Sequence, residues 1–263
     1  MLTHERSLLS HPPPIPTPVL LHDDTAAEIL VRHLFAQPGE TIVGIDFDVG
    51  YTTADGPTGG DIIDVFPFDN QSVGFSIADI SGKGVRAAVH AAQVKYALRA
   101  YASAELPVGE SLYLLNRLLS ENNAFERLDT FASVFIGVID SERNVMTYAS
   151  GGHEPVVLLA RGRPPQVLAP TAPILGVFEN SRALFGQEQV QLRPGSVLVA
   201  TTDGVTEARR DGVMYGIDRL VDACALHARE PAAQQVESLM RNVSRYCYNK
   251  PQDDIAILVA RIA

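Results

Sequence analysis

The 263-residue sequence has no tryptophan and only two cysteines, Cys224 and Cys247. Two thiols cannot build the disulfide framework of a small secreted domain, and they suit a reducing compartment. No apolar run approaches the ~20 residues needed to cross a bilayer. The N-terminus, Met1-Leu2-Thr3-His4-Glu5-Arg6, leads into Pro12-Pro13-Pro14 and not into a signal-peptide core. A cytoplasmic location is therefore expected. Positive charge is also scarce: 21 Lys and Arg face 31 Asp and Glu, a formal net charge of −10. Such a chain lacks the basic footprint of a nucleic-acid binder and is repelled by anionic membranes, so neither is expected as a partner.

The remaining composition, 46% hydrophobic and 20% charged, is that of a globular protein long enough for one large domain. Residues 1–24, with five prolines within His11–Pro18, read as an extended tail or linker, and residues 25–263 as the folded domain. A helix is expected over Ala26–Phe35, capped by Thr25 with Glu28. Strand patterns follow at Thr41–Val49, Asp61–Phe68 and Ser72–Ile80, the last two joined by a turn at Asp69-Asn70. Val73, Phe75 and Ile77 alternate with Gly74, Ser76 and Ala78, so one face of that strand is lined by small residues. Two helices are predicted, near Val85–Ala102 and Pro107–Asn122. Strands return at Thr130–Asp140, Val145–Ser150, Val156–Arg161, Gln187–Leu192 and Val197–Thr201. Helices near Ile217–Leu226 and Ala232–Tyr246 precede a last strand, Ile255–Arg261. Runs of strands separated by helix pairs predict an α+β fold with antiparallel sheets and helices packed outside.

Carboxylates recur where predicted strands begin or end: Gly59-Gly60-Asp61, Ala78-Asp79-Ile80, Thr202-Asp203-Gly204 and Gln252-Asp253-Asp254. Alone, Asp-Gly is more often a turn than a ligand. Here, however, buried strand patterns (Val197–Ala200 and Ile255–Val259) run directly into or out of the acids, which a surface turn does not need. Converging aspartates repel one another unless a cation intervenes, and hard ions such as Mg²⁺ and Mn²⁺ select carboxylate, carbonyl and water oxygens. Other chemistries fail on spacing. A thiol phosphatase needs arginine six positions after its cysteine, yet Asp253 follows Cys247 and Glu230 follows Cys224 at that distance. His153, in Gly151-Gly152-His153-Glu154, reads as structural and not as a ligand.

Several segments, taken in order, resemble the SpoIIE-like branch of the PPM (protein phosphatase 2C) superfamily. They are Gly59–Asp64 (GGDIID), Ala78–Gly84 (ADISGKG), Arg86-Ala87-Ala88, Thr130-Phe131-Ala132-Ser133, Tyr148–Pro155 (YASGGHEP), Leu192–Gly195 (LRPG), Thr201–Arg209 (TTDGVTEAR) and Asp253-Asp254-Ile255. The resemblance implies a four-layer α-β-β-α sandwich of two mainly antiparallel sheets flanked by helix pairs. It also implies a protein serine/threonine phosphatase holding two divalent cations, Mn²⁺ or Mg²⁺. By it, Asp79 would bridge both metals, with the Ile80 carbonyl and, directly or through water, Asp61 on the second and Asp203 and Asp253 on the first. Asp254 would support the site, and Asp64 would serve as a structural or outer residue. Ile62 and Lys83 stand where the branch often has an aromatic residue and a histidine, so the general acid has no assigned residue, nor does substrate binding. The helix start after Gly84 could add a weak anion contact that Lys83 or Arg86 could assist, the plainer reading of both being solvated charges.

The implied substrate is a phosphorylated regulatory protein, such as an anti-sigma-factor antagonist in a bacterial partner-switching pathway. With about 40 residues before the first strand, control is expected from a regulatory partner in trans, from the tail, or from the Val85–Asn122 helix pair. A homodimer is among the expected assemblies. The competing reading is a catalytically inactive scaffold that kept the fold.

Overall fold

The alternation in residues 73–80 sets the order of the layers. In the computed structural model, which describes residues 34, 41–42, 44–54, 59–68, 71–126, 129–178 and 181–263, Val73, Phe75 and Ile77 lie in a core between two sheets. Ala78 and Ile80, on the opposite face, pack with Ala88, Ala91, Val94 and Leu98 of a covering helix. Small side chains on both partners let helix and sheet approach closely, which is what an alanine-rich helix over a small-residue strand face achieves.

The chain begins with a short hairpin, β1 (Thr41–Ile42) and β2 (Ile45–Thr52), followed by the antiparallel pair β3 (Ile62–Pro67) and β4 (Ser72–Ile80). Helices α1 (Gly84–Ser103) and α2 (Val108–Glu126) come next, then β5 (Ala132–Asp140) and β6 (Val145–Gly151). The chain crosses to the other sheet for β7 (Val156–Leu159) and β8 (Gln166–Leu168), and returns for β9 (Glu188–Gln191). Then follow β10 (Val197–Thr201), a four-residue helix α3 (Asp203–Thr206), and the two-residue strands β11 (Arg209–Arg210) and β12 (Val213–Met214). Helices α4 (Gly216–His227) and α5 (Ala232–Tyr246) lead into the closing strand β13 (Ile255–Ile262).

One sheet has the order β3-β4-β5-β6-β9 and the other β1-β2-β13-β10-β7-β8, with antiparallel pairing between neighbouring strands. Helices α1 and α2 cover the first sheet; α4 and α5 cover the second through a third core containing Val157, Val199, Leu220, Leu239 and Ile257. The expected four-layer α-β-β-α sandwich is what forms.

Three features differ from expectation or lie beyond it. The single strand expected over Thr41–Val49 is divided: Gly44, at φ +77°, reverses the chain so that Ile42 faces Ile45. The short β8 and a 3₁₀ turn at Arg182–Leu184 are too short to display a period, and the hairpin of β11 and β12 is marked only by its Asp211-Gly212 turn, at φ +51° and +83°, which the sequence reading did not single out. The tail over residues 1–24 and the Asp69-Asn70 turn lie outside the described residues. Of the expected Ala26–Phe35 helix only Leu34 is described; it is helical and buried in the core beneath α1 and α2. No helix among the described residues is long and apolar enough to cross a membrane.

Candidate metal centre

Strand register brings the acids together in two groups, one on each sheet. Ile62 pairs with Ala78 across β3 and β4, so Asp61 and Asp79 are forced to adjacent positions at one end of their sheet. Thr201 pairs with Ile257 across β10 and β13, so Asp203, just past the end of β10, meets Asp253 and Asp254, just before β13. The stacked sheets then join the two groups. Thr202 Oγ1 donates to Asp61 Oδ2 at 2.8 Å and accepts from the Ala256 amide at 3.0 Å, tying the first sheet's acid to the second sheet's backbone. Asp253 Oδ1 accepts from the Asp254 amide and Asp254 Oδ1 from the Ala54 amide, each at 2.9 Å.

Glycines make this approach feasible. A Cβ on Gly60 would lie 2.2 Å from the Ile80 carbonyl oxygen, and one on Gly204 would lie 1.9 Å from the Asp254 carbonyl oxygen. The glycines beside Asp61 and Asp203 are therefore required by contact between segments. The result is a cleft of about 20 Å³ lined by Asp61, Asp79, Asp253, Asp254, Gly60 and Lys83. Asp203 stands beside this lining and is electrostatically coupled to Asp79. A wider groove of about 320 Å³, with Lys83, Arg86 and His90 on its wall, adjoins it.

The acids are held in an unfavourable state of charge. Burial, then repulsion from Asp79, pushes the almost fully buried Asp61 well above the usual carboxylate range, against the lowering effect of the Thr202 hydrogen bond. Burial, then Asp203, Asp253 and Asp254, raises Asp79 to about 7. Burial, then Asp253, Glu207 and Glu154, raises Asp203 to about 6. Among the described residues no three His, Cys, Asp or Glu side chains stand in ready ligating geometry. The donor set nevertheless fits a hard divalent cation: it consists of carboxylate oxygens, with the Ile80 carbonyl beside Gly60, and it contains no thiolate or imidazole.

Two residues weighed for the site belong elsewhere. Asp64 is fully buried beneath α1, accepting from Arg99 Nε at 2.5 Å and Arg99 Nη2 at 2.6 Å and facing Lys95 Nζ at 3.1 Å. It fastens the helix to the sheet. His153 is buried, its Nδ1 2.9 Å from Ser133 Oγ, and burial lowers it to about 3, so the ring is neutral. Cys224 and Cys247 are buried free thiols, and burial pushes Cys224 up to about 12, which does not suit it as a nucleophile. The sequence reading did not single out Thr202, Tyr51, Glu154 or Glu207. Three of them sit inside the quoted motifs, but only tertiary approach shows that Thr202 holds Asp61 and that both glutamates press on Asp203. Tyr51 lies against Asp254 and Asp61, and burial together with their charge raises its phenol strongly.

Two stacked antiparallel sheets between helix pairs, with acids gathered where the sheets meet, define a PP2C-type fold. The SiaA-PP2C domain of Pseudomonas aeruginosa superposes with a TM-score of 0.70 at 21% identity, over 82% of this chain and 86% of that one. The PP2C phosphatase domain of SpoIIE from Bacillus subtilis, with a fragment of its regulatory domain, also gives 0.70, at 16% identity over 83% of this chain and 63% of that one. The family model for Stage II sporulation protein E (SpoIIE) matches residues 69–263, and the chain belongs to that family. Its relatives include Protein IcfG of Synechocystis sp., 29% identical over 188 residues, 62% of this chain and 29% of IcfG. Phosphoserine phosphatase RsbU of Bacillus subtilis is 25% identical over 197 residues, 74% of this chain and 57% of RsbU. The chain thus spans less than two thirds of the length of either curated relative.

Proposed function

We propose that the chain is a metal-dependent protein serine/threonine phosphatase. The observation that carries this reading is the gathering of Asp61, Asp79, Asp203, Asp253 and Asp254 around one small oxygen-lined cleft, with three of them raised by burial and mutual repulsion. In this reading Asp61, Asp79, Asp203, Asp253 and the Ile80 carbonyl would hold two divalent cations, with Asp79 shared between them, while the Asp254 amide steadies the Asp253 carboxylate. When bound, Mn²⁺ or Mg²⁺ supplies Lewis acidity that activates water and neutralises phosphate charge.

The chain's own residues do the positioning. Thr202 fixes the Asp61 carboxylate, and the Ala54 amide fixes Asp254. Lys83 at the rim and Arg86 in the adjoining groove bring positive charge to the approach of a phosphoryl group. The substrate we propose is a phosphoserine- or phosphothreonine-bearing regulatory protein, such as an anti-sigma-factor antagonist, within a partner-switching pathway in the cytoplasm. A regulatory partner acting in trans and a homodimer complete the proposed assembly. Membership of the SpoIIE family and the likeness to phosphoserine phosphatase RsbU support this reading.

The alternative, an inactive scaffold, leaves the acidic cluster without a purpose, since uncompensated buried carboxylates only destabilise a fold. The test is release of phosphate from a phosphoserine peptide with and without Mn²⁺. The wild type is expected to be active and metal-dependent, with Asp79→Asn at background; equal background rates for both would establish the scaffold.

A further inference from the structure

The far end of the second sheet carries the opposite charge. A concave cavity of about 580 Å³ opens between the β7–β8 turn, the loop before β10 and the end of α4, and Arg161, Arg163, Arg229 and Arg261 all line it. In a chain with a formal charge of −10, this concentration of guanidinium groups is not a background feature. None of the four forms an ion pair with a carboxylate among the described residues. The neighbouring Glu230 faces His227 instead, at 3.1 Å. Arg261 Nη1 reaches the carbonyls of Arg229 and Glu230 at 3.5 and 3.3 Å, which leaves its other N–H groups for a ligand.

The walls are pre-formed. The β7–β8 turn is closed by the Arg163 amide on the Ala160 carbonyl at 3.1 Å, and the Gly195 amide is pinned to the Ile262 carbonyl at 2.9 Å. Leu159, Pro194, Ala225 and Ala228 give the cavity an apolar lining. The carbonyl end of α4 points a partial negative charge of about half a unit towards this region, far less than four guanidinium groups supply.

We propose that this cavity is a binding site for a nucleotide, a ligand whose ring packs on the apolar wall and whose phosphates are gripped by the arginines. Arginine binds phosphate through paired N–H donors, and a concave volume of this size matches a small molecule. A protein partner would bury roughly 800 Å² on each side and has no need of such a pocket. The site is separate from the acidic cleft, with which it shares no lining residue. Gly195 and Asp203 lie beyond opposite ends of β10, whose five residues alone span roughly 13 Å at about 3.3 Å per residue.

Calorimetric titration of the full chain in EDTA, which removes any contribution from divalent ions at the acidic cleft, tests the proposal. Adenosine triphosphate, guanosine triphosphate, adenosine and tripolyphosphate are the probes. At least one triphosphate is expected to bind saturably and more tightly than both adenosine and tripolyphosphate. The exposed-turn variant Arg161→Glu/Arg163→Glu is expected to weaken it at least about tenfold, with an unchanged melting temperature. Absence of saturable binding by either triphosphate at millimolar concentration would overturn the site. Equal binding by the variant would remove the arginines from it, and equal binding by tripolyphosphate would remove the nucleotide. If the double variant melts earlier than wild type, Arg229→Ala, on the opposite wall, serves as the same test.

Discussion

At the scale of single residues, the decisive positions are those with the least side chain. Gly204 lies so close to the Asp254 carbonyl that a methyl group has no room, and the obstacle is backbone, which cannot rotate away. Gly204→Ala is expected to displace the Asp253-Asp254 segment, destabilise the protein by about 1–3 kcal/mol, and remove metal-dependent phosphate release. Urea denaturation read alongside the activity assay checks both. His153 acts in the other direction. Its folded value of about 3 lies below the ordinary ~6.5, so the unfolded chain binds more protons through that window. Its contribution is full above about 6.5 and is lost as the pH falls towards 3. His153→Gln is expected to flatten the acid limb of stability against pH relative to wild type. An unchanged slope would mean that the ring charges inside the fold.

At the scale of elements, α1 is joined to β3 by more than apolar packing. Lys95 and Arg99, one helical turn apart, both reach the fully buried Asp64, and Arg99 also lies over the Phe66 ring at 5.6 Å. Removing one partner strands charge in the interior, so Asp64→Ala is expected to cost about 3–5 kcal/mol in equilibrium unfolding. A double-mutant cycle with Arg99→Ala should show strong coupling; additive losses would mean that the contact is incidental.

This anchor also shows where the sequence was legible. The helices and the long strands were readable because their cores repeat: alanines and leucines along α1 and α2, and an unbroken apolar run in β13. Asp61, Asp79, Asp203 and Asp253 were readable as candidates because each adjoins such a strand. The partners of Asp64 were not readable, being 31 and 35 residues away on a helix whose charges look solvated in the sequence. The split at Gly44 and the four-residue α3 escaped for a related reason: one turn has no period. Thr202 escaped because its role requires the two sheets to stack.

At the scale of the whole molecule, the acidic cleft couples folding to pH and, in the proposed function, to metal. Asp79 near 7 and Asp203 near 6 both lie above the ~3.9 of an unfolded aspartate. The folded chain therefore binds more protons than the unfolded chain between about 4 and 7, and metal-free stability falls as the pH rises through that window. Above 7 the carboxylates are ionised and their repulsion is greatest. A cation that neutralises them then has most to offset, while at pH 5 it must first displace protons. Mn²⁺ at about a hundred times its dissociation constant stabilises by about 2.7 kcal/mol, a rise of roughly 5–10 °C for a domain of this size. That rise is expected at pH 8, with a much smaller one at pH 5 for the same metal concentration, and Asp79→Asn should lose most of it. Thermal melts in EDTA and in Mn²⁺ at the two pH values decide the matter without reference to catalysis. A shift of equal size at both, or one that survives Asp79→Asn, would place the metal somewhere other than this cleft.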